Sequence, residues 1–203
     1  GVVLEEKVGV ISCTVRRQRG QATQASFDLP RLPKCLGEGL DVHAIASALR
    51  LRAADIGFNH HRPSVWNAGY PFTFVPVASL EAIRRASPSP ALFHSTFTGL
   101  RPAVYLYTKE VMQEGSHVHA RMFAPGFGIT EDPATGSAAA AFAGVAALFE
   151  KPEDGDHLLI IEQGFEMGRP SIIQLRLQIQ GGALVGATVG GSAVRISQGT
   201  IEA

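Results

Sequence analysis

Apolar residues in this chain alternate with polar ones far more often than they recur at helical spacing. Ile173, Leu175, Leu177 and Ile179 are separated by Gln174, Arg176 and Gln178, the period of a strand with one buried face. Ala25, Phe27 and Leu29 alternate in the same way with Gln24, Ser26 and Asp28. With the β-branched stretch 8–17 they predict a hairpin with one buried face, turning at Arg19-Gly20 and ended by Pro30 and Pro33. Residues 2–4 run into it as strand sequence. Further strands are predicted over residues 72–77, 104–108, 117–123, 158–162, 173–179, 184–189 and 193–197, the last two joined by a Gly190-Gly191 turn. Helical spacing is rarer. Val42, Ile45, Ala46 and Leu49 share a face behind Asp41 as N-cap, and Ser79 starts a second helix running to about Ala86, with Glu81 in its first turn. His60, His61 and Pro63 read as a linker. Strands do not alternate with long helices, so the fold class is α+β rather than a doubly wound parallel sheet.

One segment departs from both periods. Residues 138–149 read AAAAFAGVAALF, with no charged or polar side chain. A helix apolar on every side is buried on every side, and this one is too short to cross a bilayer. The spacing therefore predicts a central helix, 137–149, wrapped by a curved sheet, its alanines letting strands approach closely. The preceding residues 126–137, GFGITEDPATGS, form a small-residue loop carrying the carboxylate of Asp132. The first amides of a helix lack internal partners and lie at the positive end of its dipole. Gly136 and Ser137 would offer those amides to a carboxylate, enolate or phosphate with little steric hindrance. Capping of a core helix by Thr135 or Ser137 is the commoner arrangement for such residues taken alone.

Composition narrows the functional classes. The 203 residues are 45% hydrophobic, enough for one large domain or two small ones, and the 18 basic residues balance the 18 acidic ones. With no basic stripe, neither nucleic acid nor an anionic membrane is an expected partner. The two cysteines, Cys13 and Cys35, have no zinc spacing and read as free, buried structural thiols. No apolar run reaches the roughly 20 residues of a membrane helix, and Glu5, Glu6 and Lys7 interrupt any signal-peptide core, so the expected location is the cytoplasm. The chain opens at Gly1 directly into strand sequence, and residues upstream of it are expected.

The loop is also where a family resemblance concentrates. Arg121-Met122-Phe123-Ala124-Pro125-Gly126, Gly128-Ile129 and Glu131-Asp132-Pro133-Ala134-Thr135-Gly136-Ser137-Ala138 resemble the signature of the PhzF-like isomerases of phenazine biosynthesis, in the diaminopimelate-epimerase superfamily. Ile161-Glu162-Gln163-Gly164 with Met167-Gly168-Arg169-Pro170-Ser171, and Gly190-Gly191-Ser192-Ala193-Val194, are similar to later family segments, and Asn67-Ala68-Gly69-Tyr70-Pro71 and Phe27-Asp28-Leu29-Pro30 are weaker echoes. The resemblance implies a diaminopimelate-epimerase-like fold: two α+β halves, each a mostly antiparallel, barrel-like sheet around a central helix, with the active site between them. Residues 1–60 would be the remainder of the first half and 61–190 the second, with residues 191–203 a closing strand returning to the first. It further implies a homodimer and cofactor-independent movement of a proton on a small carboxylate. Asp132 and Ser137 would be catalytic: Asp132 relaying or donating a proton, or holding a substrate amine. Thr135, Gly136 and Ser137 would hold the substrate carboxylate. The family's general base is a glutamate followed by a Gly-His-Ala-Thr segment. Neither is present in this sequence, so the base is expected in a preceding N-terminal portion.

Other chemistries fit less well. Diaminopimelate epimerases carry a catalytic cysteine just before the Thr-Gly pair, where this chain has Asp132-Pro133-Ala134. His117 and His119 have a spacing that can bind a metal, yet no third ligand is evident, and an exposed or hydrogen-bonded pair is expected. Gly126-Phe127-Gly128 lacks the third glycine of a dinucleotide loop, and Ser137 has no nucleophile-elbow pattern. The Arg84-Arg85 pair reads as a solvated helix face. Two classes remain, a small-carboxylate isomerase and a non-catalytic binder of a small anion at Gly136-Ser137. They differ in whether a carboxylate base faces Asp132.

Overall fold

The computed structural model describes residues 1–17, 20, 22–38, 40–97, 103–195 and 197–201. In chain order the strands are β1 Val2–Glu6, β2 Gly9–Arg16, β3 Thr23–Asp28, β4 Lys34–Glu38, β5 Ser64–Asn67, β6 Pro71–Pro76, β7 Val104–Thr108, β8 Val118–Ala124, β9 Ile129–Asp132, β10 Gly155–Gln163, β11 Ser171–Gln180 and β12 Ala183–Ala193. The helices are α1 Val42–Leu49, α2 Leu80–Arg85, α3 Leu92–Thr96 and α4 Gly136–Glu150. The strands join one sheet in the order β1-β2-β3-β12-β11-β10-β8-β7-β6-β5-β4, with β9 added beside β8. Pairing is antiparallel except at β8–β10 and β6–β7. The architecture is thus α+β, a large, mostly antiparallel sheet with few helices.

Helix α4 lies against β4, β5 and β6 from one end of this order and against β11 and β12 from nearer the other. Every residue from Ala138 to Ala146 is buried, and none of their apolar side chains is more than 5% exposed. The uniform apolarity of the segment therefore corresponds to strands on several sides. At Ala147 and Leu148 the helix is only half-buried, beside a groove lined by Leu32, Pro33 and Leu184. The opposite face of β6–β8 carries a second core. Val75, Val104, Leu106 and Phe123 pack there with Ile45 and Leu49 of α1, Ile83 of α2 and Phe93 of α3. Strand β7 is buried on both faces, Tyr105 and Tyr107 toward α4 and Val104 and Leu106 toward α1–α3, which explains its unbroken apolar run.

Several expectations need correction. Gly190-Gly191 is not a turn, because β12 runs straight through it, pairing with both β11 and β3. A Cβ on Gly190 would stand 2.9 Å from the Ser26 Cβ and 3.0 Å from the Ala25 carbonyl oxygen, so the glycine serves close strand approach. The Arg19-Gly20 turn and the strand 193–197 include residues outside those described, Arg19 and Ile196; Ala193 itself ends β12. The linker at residues 60–63 leads at once into β5, and His61 is buried, its Nδ1 2.9 Å from the Tyr107 hydroxyl and its Nε2 3.1 Å from Glu150 Oε1. Cys35 is exposed rather than buried, because β4 is at the end of the sheet. Arg85 is not merely solvated, since it reaches the buried Asp55 carboxylate at 3.3 Å. Strands β2 and β3 pair as expected, but Val15 of β2 and Val2 and Leu4 of the neighbouring β1 remain exposed.

Candidate active site

Strand β9 ends at Asp132, and α4 begins four residues later. Successive strand residues point to opposite faces, so Asp132 and Glu131 part company. Glu131 turns to the α2 side, where Arg121 of β8 grips it through Nε and a terminal nitrogen at 2.7 and 2.8 Å. The same guanidinium donates to the carbonyls of Ile83, Arg84 and Ala86 at 3.0, 3.2 and 2.8 Å, where positive charge is favoured by the end of a helix. Asp132 turns to the α4 side. Its Oδ2 accepts a 2.7 Å hydrogen bond from the Thr135 hydroxyl, and its carbonyl accepts one of 2.7 Å from Gln163 Nε2.

Thr135 occupies the N-cap position of α4, yet its side chain caps no amide of the helix. It is buried, and its hydroxyl is engaged by Asp132 and by Gln163 Nε2 at 2.9 Å. Gly136 is half-buried and Ser137 exposed. The first amides of α4 therefore lie at the accessible end of a fifteen-residue helix without a capping side chain, an arrangement that can hold an anion. Asp132, Thr135, Gly136 and Ser137 are thus gathered at one helix start.

The same alternation separates Glu162 and Gln163. Gln163 lies on the α4 face and is fully buried. Glu162 faces the other way, fully buried, accepting the amides of Met112 and Gln113 at 2.5 and 2.9 Å and lying 2.7 Å from His119 Nδ1. His119 Nε2 is 2.9 Å from Glu166 Oε1. Burial works against a charged His119, but Glu166 and Glu162 outweigh it and raise its pKa above the usual histidine value. Burial likewise opposes charge on Glu166, yet His119 and Arg121 hold its pKa below the usual value. Both ring nitrogens of His119 are thereby occupied by carboxylates. His117 is exposed, and its Nδ1 accepts the Ile160 amide at 3.0 Å. Among the described residues no cluster of three His, Cys, Asp or Glu is arranged to hold a metal, and no helix is long and apolar enough to cross a membrane.

Gly164 follows Gln163 with φ of +80°, and a Cβ there would meet the Arg169 carbonyl at 2.4 Å and the Pro133 carbonyl at 2.8 Å. The 164–169 turn is thus packed directly against the Asp132–Thr135 loop. Sequence reasoning assigned no role to Gln163, Arg121, Glu131 or the His119 pair of carboxylates. Their signal was polarity ending an apolar strand, Glu162-Gln163 after Leu158-Leu159-Ile160-Ile161, since buried polar groups demand partners.

The family model described as "Phenazine biosynthesis-like protein" matches residues 1–199. An uncharacterized isomerase of Mesorhizobium japonicum is 45% identical over 98% of this chain and 67% of its own length. The trans-2,3-dihydro-3-hydroxyanthranilate isomerase of Pseudomonas chlororaphis is 31% identical over 98% of this chain and 66% of its own. Among solved structures, a PhzF-family phenazine biosynthesis protein of Bacillus anthracis superposes with a TM-score of 0.81 at 21% identity, covering 94% of this chain and 64% of that one. A predicted epimerase of Pseudomonas aeruginosa superposes with 0.68 at 23% identity, covering 97% and 66%. The chain spans about two thirds of the length of these relatives.

Proposed function

Because the chain belongs to the phenazine biosynthesis-like family, we propose that it is the part of a PhzF-like isomerase that holds the substrate carboxylate and one proton-transferring acid. The isomerase names of its relatives support the reaction class. The single observation that carries the site is the accessible, uncapped start of α4 beside the Asp132 carboxylate. In this reading the amide of Gly136 and the amide and hydroxyl of Ser137 bind the carboxylate of a small substrate. Asp132 gives or takes the proton at a carbon next to an activating group. Donors aimed at developing charge stabilise an enol-like transition state without reorganising during the reaction. Thr135 belongs to the binding set through the turn that sets the helix start.

Proton abstraction also needs a base within reach. We assign it to the third of the relatives' length that this chain does not span, across a cleft between two halves of a diaminopimelate-epimerase-like fold. Residues 1–60 would be the remainder of the first half, 61–190 the second, and residues 191–203 the closing strand. The family's chemistry implies a cofactor-independent proton transfer. The expected state is a homodimer acting on a free small molecule.

The test is incubation of the full-length protein that contains this chain with trans-2,3-dihydro-3-hydroxyanthranilate in deuterium oxide, followed by mass spectrometry. Isomerisation with solvent deuterium at carbon supports proton transfer. Saturable binding with neither isomerisation nor exchange would leave only the anion-binding function of the Gly136-Ser137 amides.

A further inference from the structure

The side-chain amide of Gln163 meets four groups, and two of them, a carbonyl and a backbone amide, have a fixed hydrogen-bonding sense. Its Nε2 is 2.7 Å from the Asp132 carbonyl and 2.9 Å from the Thr135 hydroxyl. Its Oε1 is 3.2 Å from the Thr135 amide nitrogen and 3.3 Å from the Tyr105 hydroxyl. A carbonyl only accepts and a backbone N–H only donates, so the orientation of the amide is determined by its surroundings. Rotating it by half a turn would set NH₂ against N–H and oxygen against oxygen. Tyr105 is fully buried; burial, and then the Asp132 charge, push its pKa up, so its hydroxyl keeps its proton and donates to Oε1.

This direction passes on to Thr135. Its hydroxyl accepts from Gln163 Nε2, and its single proton therefore goes to Asp132 Oδ2 at 2.7 Å. An oxygen that accepts from Thr135 is poorly placed to carry the acid's own proton. Oδ1 has no hydrogen-bond partner among the described residues. Resting on the proton-transfer reading above, we infer that Gln163 and Thr135 are positioning residues that leave Oδ1 of Asp132 as the atom that exchanges the proton with substrate. When Asp132 acts as acid, the Oδ1–H bond breaks, its electron pair stays on the carboxylate, and a C–H bond forms on the substrate. In reverse, Oδ1 takes the proton and the carbon keeps the pair. Thr135 and Gln163 exchange no proton in either direction. The turn they hold also begins α4, so the same contacts set the distance between Oδ1 and the carboxylate-binding amides.

The test compares Thr135→Val, which keeps the shape and loses the hydroxyl, with Thr135→Ser, which keeps the hydroxyl. In the full-length protein that contains this chain, turnover of trans-2,3-dihydro-3-hydroxyanthranilate should fall in kcat by up to roughly 100-fold in Thr135→Val, as for misplaced reacting groups, with KM within about twofold of wild type. Thr135→Ser should recover most of the loss. A raised KM with unchanged kcat in Thr135→Val would make Thr135 a substrate ligand and overturn the inference. Turnover surviving in Asp132→Asn would instead remove the reading on which it rests. A second readout needs no turnover. The Gln163 side-chain NH₂ protons, assigned by their loss in Gln163→Glu, should exchange with solvent far more slowly than those of exposed glutamines, and faster in Thr135→Val. Exchange as fast as at exposed glutamines in wild type would overturn the proposal.

Discussion

Asp132 and Ser137 stand five residues apart, but different losses are expected from each. Asp132→Asn keeps an oxygen that can accept from the Thr135 hydroxyl, so the melting temperature should stay near wild type while turnover falls by roughly 10²–10⁴-fold, the range for a missing general acid or base. Ser137 is exposed and makes no side-chain bond that holds the fold among the described residues. Ser137→Ala should weaken carboxylate binding by roughly tenfold, equivalent to ~1.5 kcal/mol for a hydrogen bond to a charged group, with no change in thermal stability. Calorimetric titration with anthranilate, which has the carboxylate and amine of the relatives' substrate without its hydroxyl and saturated ring carbons, would measure this. At this scale the residue types were legible in the sequence, because Asp-Pro-Ala-Thr-Gly-Ser before an apolar run is unusual. The bonds of Gln163 to Asp132 and Thr135 were not, since they join residues 31 and 28 positions apart.

Among the elements, β8 and β9 carry a buried ionic join that the alternating pattern concealed. Arg121 is 7% exposed and satisfies Glu131 and three carbonyls of the α2 end. Arg121→Met should destabilise by up to ~3–5 kcal/mol, because it strands the part-buried Glu131 carboxylate and three backbone carbonyls, and chemical denaturation would show a wild-type midpoint if the join were unimportant. Helix α4 fails differently. Ala141 is fully buried between strands, so Ala141→Leu should cost roughly 1–3 kcal/mol by overpacking, read in the same denaturation experiment. The helix was readable from its uniform apolarity. Strands β4, β5 and β9 and the short α3 were not predicted. They are four or five residues long, and at that length sheet partners, rather than local pattern, decide the conformation. The glycine pair in β12 misled for a related reason: a close neighbour strand demands the residue that a turn also favours.

For the molecule as a whole, the pairing of chemistry with packing also sets the response to pH. The His61 hydrogen bond, against the opposing effect of burial and with help from Lys109, lowers the Glu150 pKa from 4.5 to about 2. A carboxylate depressed in the folded state adds stability that is complete above its unfolded pKa and is lost as pH falls toward the folded one. Wild type and Glu150→Gln should therefore differ in melting temperature at pH 6 and converge as pH falls from about 4.5 to 2. A constant difference down to pH 2 would deny Glu150 this role. His119 has the opposite sign. Its pKa is raised, so its contribution is present at low pH and is lost as pH rises through the folded value. The Glu150 network lies at the C-terminal end of α4, opposite the Gly136-Ser137 end, and the buried His119 network lies between β8 and β10.

The most direct measurement is a titration of isotopically labelled protein with anthranilate, following each backbone amide by nitrogen–proton correlation spectra. The account predicts that the Gly136 and Ser137 amides shift first and saturably, and that Ser137→Ala weakens the same transition. Saturable shifts elsewhere, with Gly136 and Ser137 unmoved at full occupancy, would contradict the placement of the carboxylate site at the start of α4.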